Sequence, residues 1–418
     1  MKLLQTTFFS AIITFIKLSA GFISNKVVAM TLGPGGVAVI GQFANFISVM
    51  FTFSNGAINA GIVKYVAEYD EDRRESALLL STALRISVVC SISLGALLWL
   101  CAPIIAHHLL MDEFVDCIRV LGLTISLFSI NSFILSVLNG KKEISKYTIV
   151  NTVGTMIGLV LTLYLVIEYK LSGALYAMVL SQTLIVFFSL YLVTKCNWFS
   201  WEIFKLRFDT EVAKALFRYS LMALVSVVTV PVSQMFLRNY VIDTMGISEA
   251  GYWQGMMRIS DSYLLIITTS LNTYYLPKLA SLKQDSDIGK EILLGYKWIL
   301  PIVAIGCVSV YLMRTFIVRL LFTEDFLPVR ELFSYQLLGD FFKVAAWILA
   351  YLMLAKAMTK VYIITEIIFS IIYVLLSVFL SAFFGLKGLT MAFALNYFVY
   401  FLMMMVFFRG IWKKGYEN

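Results

Sequence analysis

The chain has 418 residues, 60% of them hydrophobic and only 14% charged, with a mean hydropathy of +0.87. Soluble domains run at roughly 45–50% apolar and about 25% charged, so a water-soluble enzyme or binding module is excluded. The net charge of +8 reads as a membrane-topology signal rather than as nucleic-acid binding.

Apolar stretches of about 20 residues, each enough to cross a hydrocarbon core of roughly 30 Å, recur from end to end. In chain order they cover 7–31, 37–66, 77–100, 113–138, 147–169, 171–194, 215–240, 251–276, 296–322, 329–356, 360–383 and 385–408. The expectation is an all-α polytopic membrane protein of about twelve transmembrane helices. The first stretch, "FFSAIITFIKLSAGFIS", has the look of a signal peptide, but Lys17 interrupts its apolar region and it is read as an uncleaved helix. The loops that face one side carry "EDRRES", "GKKEISK", "KCNWFSWEIFKLRFDTEVAK" and "KLASLKQDSDIGKEILLGYK", and the tail adds Arg409, Lys413 and Lys414. About twenty basic residues thus fall on one side and about five on the other (Lys170, Arg238, Arg319, Arg330, Lys387). Cytoplasmic loops collect lysine and arginine, so both termini are expected inside.

The longest inner connection, about 195–214, is aromatic and basic and is expected to lie along the leaflet surface. It separates two lobes of six spans, 1–200 and 201–418. The lobes are faintly alike: "LSGALYAMVL" (171–180) resembles "LKGLTMAFAL" (386–395), and "TLGPGGVAVIGQF" (31–43) resembles "TMGISEAGYWQGM" (244–256). The two offsets, 215 and 213, nearly agree, which marks an internal repeat. Six is even, so both lobes point the same way, and a pseudo-twofold axis along the membrane normal with a cavity between the lobes is expected.

Ionisable residues within spans are Lys17, Lys26, Lys64, Arg85, Arg119, Arg258, Arg314 and Lys343, against Asp261, Asp340 and Glu366. Each costs about 2.5–3.5 kcal/mol at mid-helix. Lys26, Lys64, Arg85 and Arg119 lie near span ends and can snorkel. Lys17 and Arg314 read as deep. Arg258 and Asp261 are three apart and share a helical face, as do Asp340 and Lys343. Ion pairs that fix packing explain part of this pattern; the positive remainder suggests a cavity for an anion. Lys17 and Lys26 are nine apart, on opposite faces unless Gly21 permits a bend. Pro231 should bend span 7, as a hinge or as a static kink. The histidines His107 and His108 read as interfacial, and the five scattered cysteines fit no metal or redox spacing, so no metal or cofactor is expected. There is no nucleotide-binding G-x-x-x-x-G-K-[ST] loop.

The segments "YSLMALVSVVTVPVSQMFLRN", "WQGMMRISDSYLLIITTSLNTYYLPKLASL" and "FSYQLLGDFFKVAAWILAYLMLAKA", with "TLGPGGVAVIGQF" and "IVKYVAEY", resemble those of Wzx-type polysaccharide flippases. These are exporters of the MOP superfamily that move lipid-linked O-antigen or enterobacterial common antigen units. The resemblance implies a non-enzymatic protein of the bacterial inner membrane. Its substrate would be an undecaprenyl-pyrophosphate-linked oligosaccharide, moved from the cytoplasmic to the periplasmic leaflet by alternating access. It further implies membrane lipids, a polysaccharide polymerase and a chain-length regulator as partners. On it, Lys17, Lys26, Lys64, Arg238, Arg314 and Lys343 fall to substrate binding, with Arg258 a departure from the family pattern. Asp261, Asp340 and Glu366 fall to coupling or charge balance. Two other readings stay open: a MATE-like small-molecule exporter, which needs a surplus of buried acids, and a membrane polysaccharide polymerase or acyltransferase, which needs a larger outer loop.

Overall fold

The computed structural model describes residues 3–69, 72–109, 112–196, 198–200 and 206–411. Among the described residues there is no strand, and the helices follow one another as α1 (Leu3–Ser54), α2 (Asn59–Glu68), α3 (Arg73–Leu100), α4 (Ala102–His108), α5 (Val115–Gly140), α6 (Ile144–Thr194), α7 (Thr210–Met245), α8 (Ile247–Ser270), α9 (Leu276–Ser281), α10 (Asp285–Leu312), α11 (Arg314–Leu321), α12 (Phe333–Ala355), α13 (Thr359–Phe384) and α14 (Leu386–Phe407). The surface segment expected over 195–214 lies partly outside the described residues, at 197 and 201–205, as do Lys413 and Lys414 of the tail.

Eight stretches are long and apolar enough to cross a membrane, and two of them are double. At 1.5 Å per residue the 52 residues of α1 would reach about 78 Å, more than twice a hydrocarbon core. The helix turns back at Gly33 (φ 63°, ψ −169°). Only glycine adopts that backbone cheaply, and Pro34 then has no N–H with which to continue the old helix. In α6, with 51 residues, the break falls at Lys170 (φ 54°, ψ −129°). Counting both arms of α1 and α6, and adding the more charged α7 and α8, gives twelve membrane-length segments, as the hydropathy pattern predicts.

Two predicted spans differ from the structure. The second, 37–66, ends at Ser54 and restarts as α2 at Asn59 after a turn through Gly56 (φ 60°) and Ala57 (φ 56°). The ninth, 296–322, begins at Asp285, ends at Leu312 and gives way to the short α11. The apolar run continues across that break, so hydropathy alone merges two helices of different orientation.

Two compact units divide the chain: Met1–Leu32 with Val39–Val232, and Gly33–Ala38 with Ser233–Asn418. The boundary read from sequence, 200/201, precedes this division because the first turns of α7 pack into unit 1. There Ala213 and Leu216 join Ile58, Ile62, Leu79 and Phe133 in one core. The stretch 33–38 belongs to unit 2, where Ala38 packs with Leu237, Trp253 and Leu389. A Cβ on Gly251 would lie 2.0 Å from the Pro34 carbonyl oxygen, so only glycine fits this crossing. Helix α7 runs on through Pro231. The outer face of α10 carries Trp298, Ile302, Ile305 and Leu312, all exposed, as a lipid-facing stripe demands.

The repeat reappears in the backbone. Gly33 and Gly246, 213 apart, both have positive φ, and so do Lys142 and Ala357, and Lys170 and Gly385, each pair 215 apart. Gly173 faces the Leu165 carbonyl, and Gly388 faces that of Leu380, so the same close helix crossing recurs at the same spacing.

Candidate functional site

Unit 2 holds a layer of ionisable groups at mid-helix. Asp340 on α12 is 0% exposed. It accepts hydrogen bonds from Ser260 Oγ (2.8 Å), from the Tyr263 hydroxyl and from Gln336 Nε2 (3.4 Å). A carboxylate so deep needs those donors, because an unmet buried acceptor forfeits its hydration. One turn on, the Lys343 ammonium lies 5.1 Å from the Trp347 ring centroid, 5.3 Å from Tyr397 and 5.4 Å from Phe393. It is the cation that bears most strongly on Asp261, and it acts on Asp340 and Glu366 as well. Arg238 on α7 is also 0% exposed; it donates to Gln254 Oε1 and lies 5.6 Å from the Trp253 ring. Arg258, on the same helix as Gln254 and Asp261, adds to this layer, and its charge opposes that of Arg238.

Three cations (Arg238, Arg258, Lys343) and three carboxylates (Asp261, Asp340, Glu366) thus occupy these helices of unit 2 in equal number; Arg238 and Asp340 are buried, Arg258, Lys343 and Glu366 half-buried, and Asp261 exposed. Besides Arg258, the partner read from spacing, Lys343 on the neighbouring helix also acts on Asp261. Arg258 and Asp261 lie about 17 and 21 Å from the start of α8, deeper than the predicted span end implies, since α8 begins at Ile247 rather than 251. Arg238, counted from sequence among the outer-loop cations, is instead fully buried on α7.

Unit 1 presents a cavity of about 300 Å³ lined by Lys17, Ser24, Thr155, Thr162, Ser181 and Gln182 among others. Lys17 is the one charged residue among its described lining residues, and it makes no hydrogen bond or ion pair among the described residues. Lys26, nine residues on, is half-buried and is not among the lining residues, as its opposite helical face requires.

Other cations lie at the surface. Lys64 on α2 sits 4.0 Å from Glu68 and 4.4 Å from the Tyr65 ring, its side chain 42% exposed. Arg314, read as deep within a span, opens α11; it donates to the Tyr311 carbonyl (2.8 Å) and stacks 4.2 Å over that ring. The reason is the end of α10 at Leu312, which puts Arg314 at a helix terminus. Arg119 pairs with Asp116 at 3.0 Å, Arg85 is exposed on α3, and His107 stands 3.2 Å from Asp112 at the surface. The rings around Lys343 and the donors to Asp340 were not among the sequence candidates. Ser260 and Tyr263 flank Asp261 in "RISDSY", which is a usable local signal; Phe393 and Tyr397 come from α14 and leave none.

The profile of the family described as polysaccharide biosynthesis protein matches residues 40–331. The chain is 29% identical over 405 residues to the lipid III flippase of Escherichia coli (strain K12), covering 96% of this chain and 97% of that protein. The lipid III flippase of Shigella flexneri matches to the same degree. Among solved structures, an inward-facing multidrug resistance MATE transporter of the MOP superfamily gives a TM-score of 0.79 at 14% identity, covering 97% of this chain and 99% of that one. A MOP superfamily transporter from Pyrococcus furiosus, described as having a binding pocket of reversed polarity, gives 0.74 at 13% identity, with 100% and 98% covered. At those identities the structural likeness establishes the fold alone: an all-α, multi-pass membrane architecture shared with those transporters.

Proposed function

This chain belongs to the polysaccharide biosynthesis protein family, and on that premise we propose that it is a flippase. It carries an undecaprenyl-pyrophosphate-linked oligosaccharide from the cytoplasmic to the periplasmic leaflet of the bacterial inner membrane. One observation carries the reading: Lys17, a cation with no counter-charge among the described residues, lines a cavity of unit 1 together with hydroxyls and an amide. A pyrophosphate cannot enter hydrocarbon bare. An ammonium with hydroxyls and an amide around it replaces the lost hydration, while the polyprenyl tail stays in lipid. Alternating access supplies the movement, as the shared transporter fold suggests.

The mid-helix group of unit 2 has a different part. Its acids satisfy its cations in the empty state, or carry a coupling proton. Lys17, Lys26 and the unit 2 cations then differ in availability: Lys17 is free to receive an anion, while Lys343 is committed to carboxylates and rings. A MATE-like exporter of cations shares the fold, but a cation would meet an unopposed lysine in unit 1. No step of bond chemistry is assigned, and the protein acts as a transporter. Polymerase and chain-length regulator are its expected working partners.

The test is glycan export in a strain lacking its own flippase, normalised to the amount of this protein in the membrane. Lys17→Ala should lower export about tenfold or more, the scale of one charge-assisted hydrogen bond, with abundance unchanged. Lys17→Arg should retain more. Export by Lys17→Ala at the unmodified level would sink the assignment.

A further inference from the structure

Next to the Lys17 cavity, unit 1 has a second recess of about 310 Å³ with no charged group among its described lining residues. Its polar lining is amide and hydroxyl: Asn55, Asn59, Ser48, Thr52 and Ser132. Its apolar wall includes Phe51 and Phe128, whose rings stack. Phe51 lines both cavities, so the two are neighbours.

The recess exists because the helix breaks at Gly56–Ala57. The repeat does not demand that break. Its counterpart in the other half, 213–215 residues on, stays helical and passes into a wide turn over Leu271–Tyr275. In unit 1 the break is held open by specific bonds. Asn55, 1% exposed, donates to the Phe51 carbonyl (2.8 Å) and accepts from Ser129 Oγ (2.7 Å). Asn59 Nδ2 donates to Ser132 Oγ (2.9 Å), while the buried Asn59 Oδ1 accepts nothing. Ser132 lies about 12 Å from the end of α5, so the break falls well inside that helix's length. Irregular backbone at such depth is tolerated only where it is buried in protein or lines a cavity.

We propose that this recess is a sugar subsite. It takes the uncharged glycosyl residue joined to the pyrophosphate, while the Lys17 cavity takes the anion. This rests on the flippase reading and names the residues that read the sugar. Carboxamides offer donors and acceptors side by side, as a ring of hydroxyls or an acetamido group requires. The Phe51–Phe128 stack gives the recess an apolar wall for the C–H face of the sugar, and a volume near 300 Å³ suits one small ligand. A polyprenyl tail there would leave Asn59 Oδ1 with no donor, and an anion would find no cation among the described lining residues.

The experiment uses the purified full-length protein in detergent and two probes: undecaprenyl pyrophosphate, and the same lipid carrying one N-acetylhexosamine. Affinities are measured for the unmodified protein, Asn59→Leu, Ser132→Ala and Lys17→Ala, each checked for unchanged melting. The sugar should strengthen binding about tenfold in the unmodified protein. Asn59→Leu and Ser132→Ala should lose most of that increment and bind the sugar-free lipid normally, while Lys17→Ala should weaken both probes alike. The Ser132→Ala variant keeps the packing, so the subsite stays testable even where Asn59→Leu folds poorly. If the sugar-free lipid binds but the sugar adds nothing, or if both variants keep the increment, the subsite is wrong and the flippase reading stands. If neither probe binds the unmodified protein, both fall.

Discussion

Lys343 occupies a place where a bare ammonium is expensive, and its surroundings offset that cost in two ways. Three ring faces lie 5.1 to 5.4 Å away, each worth up to about 2 kcal/mol when desolvated. Three carboxylates depend on it in turn. Replacing it with methionine keeps the apolar stem but removes a cation that acts on all three carboxylates, of which only Asp340 is fully buried, so the cost is about 1–3 kcal/mol. Thermal unfolding of the detergent-solubilised protein should show Lys343→Met melting well below the unmodified chain. Adding Glu366→Gln should restore part of the loss, because one of those carboxylate charges is removed. A single variant that melts normally would mean the layer is not held by this lysine. Lys17 is the contrast: it has no partner to lose, so Lys17→Ala should change stability by no more than about 0.5 kcal/mol. The sequence showed Asp340 and Lys343 on one helical face because a spacing of three is local information. It could not show the cage, since two of its rings arrive from α14, some fifty residues away. Arg314 misled for the converse reason: nothing in an apolar run announces that the helix ends at Leu312.

Helix ends repeat more faithfully than helix sequences do. The crossing at Lys170 (φ 54°, ψ −129°) and that at Gly385 (φ 56°, ψ −143°) share one backbone shape, 215 residues apart. Glycine adopts it freely, whereas a lysine there is strained by about 1–3 kcal/mol. Glycine also gives up about 0.5–1 kcal/mol more chain entropy on folding. The exposed Lys170 side chain contributes little packing, so Lys170→Gly should stabilise by about 1 kcal/mol, read as a higher melting temperature. Gly385→Lys should do the reverse, and equal melting of both variants would contradict the shared strain. These paired turns explain why the twelve segments were legible: each is bounded by glycine, proline or a charge that interrupts a long apolar run. What escaped was the break at Gly56–Ala57, because Ile58, Ile62 and Val66 continue the apolar pattern straight across it, each 0% exposed in the core.

At the scale of the whole molecule the two units divide the labour of charge. Unit 1 carries a lysine with no counter-charge among the described residues, in a cavity lined by hydroxyls, an amide and apolar side chains; the mid-helix group of unit 2 has three cations and three acids. The net charge of +8 therefore resides chiefly in the loops, where it bears on orientation rather than on binding. Twelve crossings would put both ends of the chain on one side, and we propose from the lysine and arginine bias that this side is the cytoplasm. Inverting the protein would carry about twenty basic residues across and leave about five behind, against the bias that sets insertion. Two exposed positions separate the alternatives: Ser248 at the start of α8 and Ser281 at the end of α9. They are joined by helix from Ile247 to Ser281, some 50 Å at 1.5 Å per residue, enough to place them on opposite faces of a bilayer. In a background whose five cysteines are replaced, Ser248→Cys should react with a membrane-impermeant maleimide added to intact spheroplasts. Ser281→Cys should react only after the membrane is opened. The reverse pattern would invert the protein, and with it the side from which the proposed anion would reach Lys17.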